Sequence, residues 1–111
     1  MGGSDTARTT EELVTAVRGA LSLVDDPELG VDIVSLGLVY AIGVDDQGRA
    51  DVVFSLTSMG CPIGPMIEQD IVEAARRVDG ISTVRPHLVF DPPWSPEKMA
   101  DEVKFALGYL V

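Results

Sequence analysis

The sequence predicts a small single-domain α+β sandwich, in the order α-β-β-α-β-α, with helices packed on one three-stranded sheet. Three observations lead there. Apolar residues return at helical spacing in three stretches, they alternate with a period of two in three others, and 111 residues with 46% apolar content suffice for one hydrophobic core and little more. Segments of both periods bury their apolar sides by stacking in layers. Residues 1–8, MGGSDTAR, are small and polar and are expected to form a mobile arm, with residues 9–111 as the single domain.

The first helix opens at Thr9-Thr10-Glu11-Glu12, which has the T-x-x-E form of a capping box. Its apolar stripe is Leu13, Val17, Ala20, Leu21 and Val24, and Asp25-Asp26-Pro27 stops it, because a residue before proline is pushed out of helical geometry. From Leu36 the period becomes two: Leu38, Tyr40, Ile42 and Val44 alternate with Val39, Ala41 and Gly43. Asp45-Asp46-Gln47-Gly48 supplies turn chemistry, and Ala50, Val52, Phe54 and Leu56 continue the alternation, so an antiparallel hairpin is expected. A second helix follows Cys61, with Pro62 at its first position and Ile63, Ile67, Ile71, Ala74, Ala75 and Val78 as its buried stripe. On its outer face Glu73 and Arg77 have the spacing of an ion pair. Gly80 ends it. The third strand spans Ser82 to Phe90, with Val84, Leu88 and Phe90 on one face and Arg85, His87 and Val89 on the other. Ser95 and Pro96 then start a last helix whose stripe is Met99, Val103, Ala106, Leu107 and Leu110.

Composition excludes several function classes. Eight basic residues against eighteen acidic ones give a formal charge of -10, a poor match to nucleic acid or to an anionic membrane surface. No apolar run approaches the roughly 20 residues needed to span a bilayer. A lone cysteine forms no internal disulfide, so a reducing, cytoplasmic setting is expected.

That cysteine sits in LTSMGCPIG, where a strand hands over to a helix. Gly60 permits an unusual turn and Pro62 suits a helix start, which puts Cys61 at or next to the N-cap. Free amides and the positive end of the helix dipole would favour thiolate over thiol there. The alternative is a packing role, since free cysteine is often simply a small buried hydrophobe. Thr57 and Ser58 offer hydroxyls to an anion or sulfide at the strand end, or serve as ordinary caps; Met59 reads as a packing residue. A second constellation, Asp25-Asp26-Pro27-Glu28, gathers carboxylates in one short loop, and on chemistry alone it reads first as a helix stop followed by a solvated turn. His87 reads as structural, and Trp94 as an anchor for the last helix.

Three segments in order, DPELGVDIVSLGLVYAIGV, DVVFSLTSMGCPIG and LVFDPPWSPEKM, resemble the SufT/PaaD-like iron-sulfur assembly factors, which include the eukaryotic cytosolic iron-sulfur targeting proteins. The likeness runs from about Glu11 to Leu110. It implies an α+β fold, a role in maturation or transfer of iron-sulfur clusters, and apo iron-sulfur proteins and other assembly components as partners. The family's reactive cysteine maps to Cys61, its acidic loop to Asp26 and Glu28, and its hydroxyl position to Thr57, with Ser58 beside it. Ser58-Met59 stands where family members often have threonine followed by small residues or proline, and the cysteine-bearing C-terminal extension of the phenylacetate-degradation branch is absent, so membership of that branch is not expected.

Ligation arithmetic bounds the expectation. A cluster usually takes four protein thiolates or substitutes for them, and this chain supplies Cys61 as its one thiol metal ligand. No tightly bound cofactor is expected; a transient iron-sulfur cluster is, with a symmetric homodimer as the simple source of a second thiolate. Two other readings stand beside this carrier. One is a thiol-dependent enzyme with Cys61 as nucleophile and Asp26, Glu28 or His87 as acid or base. The other is an adaptor that binds partners and no cluster.

Overall fold

The computed structural model describes residues 9–57 and 63–108. The expected arm at residues 1–8, the segment from Ser58 to Pro62, and residues 109–111 lie outside the described residues. Within them the order is α1 (Thr10–Leu21), β1 (Asp25–Asp26), β2 (Val31–Asp32), β3 (Val39–Val44), β4 (Arg49–Phe54), α2 (Gly64–Arg76), β5 (Thr83–Leu88), a 3₁₀ turn (Pro96–Lys98) and α3 (Asp101–Leu107). The α+β layers are those the periodicity predicts.

The capping box at α1 is complete. Thr9 Oγ1 accepts the Glu12 amide at 3.1 Å, and Glu12 Oε1 accepts the Thr9 amide at 2.9 Å. The buried stripe of α1 comprises Leu13, Val17 and Leu21. In α2 the buried positions are Gly64, Ile67, Ile71 and Ala75. These helices enclose a core with Val52 and Phe54 of β4 and with Ile33, Leu36 and Leu38 from the segment before β3.

β3 and β4 form the expected antiparallel hairpin, with Ile42 opposite Val52 and Val44 opposite Ala50. The register slips between Val39 and Ala41, a bulge that falls at Tyr40, whose hydroxyl donates to the Pro92 carbonyl at 2.9 Å. At the hairpin turn Asp45 Oδ1 accepts the amides of Gln47 at 2.9 Å and Arg49 at 3.0 Å. Gly48 has a φ of 79°, and a side chain there would meet the Gly80 carbonyl at 2.3 Å, so this glycine is required twice over. β5 joins the other side of β4 in parallel, with Val52 opposite Pro86 and Phe54 opposite Leu88. As an edge strand it tolerates Pro86, which has no amide hydrogen to donate.

Four expectations need correction. First, α2 opens at Gly64 with Ile63 as N-cap, two positions past Cys61 instead of at or next to it, and Pro65 takes the early helical position expected of Pro62. Gly64 is buried against Leu56, where a Cβ would lie 3.3 Å from a Leu56 methyl, so the first turn of the helix packs closely on the end of β4's segment. Second, the third strand ends at Leu88, and Phe90 lies past it, exposed, instead of sharing a face with Val84 and Leu88. Third, Glu73 takes a 3.5 Å hydrogen bond from Gln69 instead of pairing with Arg77, which sits at the C-cap, past the last helical residue. Fourth, the last helix does not run from Pro96: Met99 and Ala100 are extended, and α3 begins only at Asp101. The break has a tertiary cause. Ala100 donates its amide to the Ser35 carbonyl at 2.8 Å, Met99 is buried, and Gly37, at a φ of 76°, lies so close to the Lys98 carbonyl that a Cβ would come within 2.1 Å of it. Trp94 reinforces the docking by donating Nε1–H to the Leu36 carbonyl at 2.7 Å. In α3 itself Ala106 and Leu107 are exposed and Val103 is half-buried; Leu110 lies outside the described residues. Among the described residues no helix is long and apolar enough to cross a membrane.

Candidate functional site

The loop after α1 is not a solvated turn. Asp25-Asp26 and Val31-Asp32 pair as a two-stranded antiparallel ribbon, with Asp26 opposite Val31. The loop is closed at its base by the Gly30 amide, 2.7 Å from the Asp26 carbonyl, with Gly30 at a φ of 69°. Asp26 is fully buried. Its Oδ1 accepts the amides of Glu28 at 2.7 Å and Leu29 at 3.4 Å, so the carboxylate holds the loop from inside.

Its other oxygen faces β4's continuation. Thr57 Oγ1 lies 3.0 Å from Glu28 Oε1, to which it donates, and 3.5 Å from Asp26 Oδ2. Residues 29 and 31 positions apart in sequence thus meet at one point, at the start of the segment that carries Cys61. Of the predicted site residues, the structure brings Asp26, Glu28 and Thr57 together; Ser58 and Cys61 lie outside the described residues. Among the described residues, no three His, Cys, Asp or Glu side chains form a group that could hold a metal ion. The pair of carboxylates with a hydroxyl between them can accept donors, orient a neighbouring loop and repel anions. Any metal held here needs ligands from elsewhere.

Sequence reasoning passed over Ser55. It is fully buried and, among the described residues, its hydroxyl has no hydrogen-bond partner. A polar residue between Phe54 and Leu56 reads as facing outward on an alternating strand, so nothing in the sequence signalled its burial.

His87 does not join this cluster. Its Nε2 is 2.9 Å from Asp51 Oδ1, on the face of the sheet opposite the core. Arg85 grips the same carboxylate with Nε at 3.0 Å and Nη2 at 3.2 Å. The hydrogen bond from His87, followed by that from Arg85, holds the Asp51 carboxyl below its usual range. A depressed carboxyl favours the folded state above its unfolded pKa, and that contribution is lost as pH falls through the folded value. Followed by carbon NMR, the Asp51 midpoint should therefore lie below that of an ordinary aspartate and should rise in His87→Ala. Equal midpoints in the two proteins would mean that the imidazole does not act on this carboxylate.

With this geometry in view, comparison with known proteins is informative. The family model described as iron-sulfur cluster assembly protein matches residues 14–85, a span that contains the acidic loop, Thr57 and Cys61. The Fe-S protein maturation auxiliary factor YitW of Bacillus subtilis is 44% identical over 98 residues, covering 88% of this chain and 96% of its own. The Fe-S protein maturation auxiliary factor SufT of Staphylococcus aureus is 45% identical over 86 residues, covering 78% of this chain and 98% of its own. A crystal structure of a DUF59 domain from Bacillus anthracis superposes with a TM-score of 0.86 at 38% identity, covering 89% of this chain and 94% of that one. Joined by fold, by the ordered motifs and by relatives matched along nearly their whole lengths, this chain belongs to the iron-sulfur cluster assembly protein family.

Proposed function

We propose that the protein serves in the maturation of iron-sulfur proteins, taking up a cluster transiently through Cys61 beside Asp26, Glu28 and Thr57 and passing it to apo-proteins. The cluster is cargo, not a resident cofactor. The observation that carries this reading is the contact of Thr57 with both loop carboxylates, which ties the acidic loop to the start of the cysteine segment. The names of YitW and SufT as maturation auxiliary factors support the same role.

The chemistry fits capture followed by release. One thiolate per chain falls short of the usual four, so a cluster held here needs a second chain, a small thiol or the recipient itself to complete its shell. A symmetric homodimer with Cys61 near its axis would supply two thiolates and leave exchangeable positions. The cytoplasm suits such a site, because its reducing conditions keep a lone thiol free.

Anaerobic reconstitution with iron and sulfide, or with a cluster donor, tests the proposal. Visible absorption should develop together with iron and sulfide content, chain mass should report two chains per cluster, and the colour should bleach on addition of an apo-protein acceptor. No uptake with any donor would overturn the carrier form and favour an adaptor that recruits apo-proteins while another component holds the metal.

A further inference from the structure

The last turns of α1 and α2 meet at a groove of about 300 Å³. Its floor is aliphatic, from Val24, Ala74 and Val78, and its rim sets Asp25, Asp70 and Glu73 against the single guanidinium of Arg77. Both helices end here, so their carbonyl termini add partial negative charge to the three carboxylates. Leu23 lines the same groove and is 80% exposed, the most exposed large apolar side chain among the described residues. The groove adjoins the acidic loop: in β1 the exposed Asp25 lines the groove, while the next residue, Asp26, is buried in the loop.

An aliphatic floor, a leucine held in solvent and an acidic rim call for an occupant that is apolar at its centre and cationic around it. A second copy seated groove to groove does not answer that description, because it would set one acidic rim against another. We infer that the groove is a docking surface for a segment of a partner protein, one that covers Leu23 with aliphatic side chains and meets Asp25, Asp70 and Glu73 with Lys or Arg. Aliphatic anchors laid into a groove between helices are a recurrent mode of peptide recognition, and the charges decide which peptides enter. This surface does not depend on cluster binding, and its occupant would sit against β1, next to Asp26.

The test uses the full chain without iron and two synthetic 18-residue helical peptides. One carries leucines along one face and lysines elsewhere; in the other, glutamate replaces every lysine. The lysine peptide should shift amide signals within residues 20–25 and 70–78, with an affinity that falls as salt rises, and the glutamate peptide should not. Leu23→Ser, at a position where exposure makes the change harmless to folding, should weaken binding by ~10-fold or more, as expected for loss of an anchor contact. Glu73→Lys, also exposed, should weaken it independently. The inference is overturned if the shifts spread over the whole acidic surface, if both variants bind like the parent chain, or if the glutamate peptide binds equally well. It is likewise overturned if the same amides move with protein concentration alone, which would make a second copy the occupant.

Discussion

Cys61→Ser is expected to abolish cluster uptake, reducing iron, sulfide and visible absorption to the background of a protein that binds no cluster. The chain has one cysteine, and a hydroxyl is a far poorer ligand for iron than a thiolate, so the substitution removes the only thiolate while changing one atom. Reconstitution of both proteins side by side, with far-ultraviolet circular dichroism as a check on folding, gives the comparison. Transfer to an apo-acceptor should disappear in parallel. Uptake that survives the change would put the ligands elsewhere and remove Cys61 from the site.

Asp26→Ala should cost ~1–3 kcal/mol of stability, because the amides of Glu28 and Leu29 then lose the buried carboxylate that accepts them. Asp26→Asn, which keeps one oxygen, should cost less. Glu28→Ala should cost little, since Glu28 is exposed and its bond with Thr57 is open to water. Urea unfolding measures all three, and an unchanged slope would show that the unfolded states are comparable. If Asp26→Ala and Glu28→Ala prove equally mild, the loop is held by its backbone and by Gly30 rather than from within by the carboxylate. A loosened loop should also disturb Thr57, so the Asp26 variants are expected to slow cluster uptake even where Cys61 is intact.

The same residue shows how far the site was legible beforehand. Its chemistry read as a helix stop, and only the resemblance to iron-sulfur assembly factors raised Asp26 and Glu28 to site residues. Nothing in DDPE reveals that the second aspartate is buried, because its burial depends on a strand partner, Val31, and on Thr57 arriving from another part of the chain. Ser55 was missed for the complementary reason: a polar residue in an alternating strand looks exposed until something covers it.

By itself the sequence determined whatever depends on near neighbours. The Thr9–Glu12 capping box, the antiparallel β3–β4 hairpin and the turn at Asp45 to Gly48 formed as read, and so did the Leu13, Val17 and Leu21 positions of α1, although that helix ends at Leu21, short of Val24 and of the Asp25-Asp26-Pro27 stop; each rests on contacts within a few residues or on backbone preference alone. Tertiary structure decided where distant segments compete for the same place. It aligned β5 parallel to β4, packed the first turn of α2 at Gly64 against Leu56, and split the last helix by docking Met99 and Ala100 on the turn around Gly37. It also joined the acidic loop to Thr57. Local propensity is worth fractions of a kcal/mol per residue, about 0.7 at most for ordinary residues, and a buried contact or a single backbone clash outweighs it.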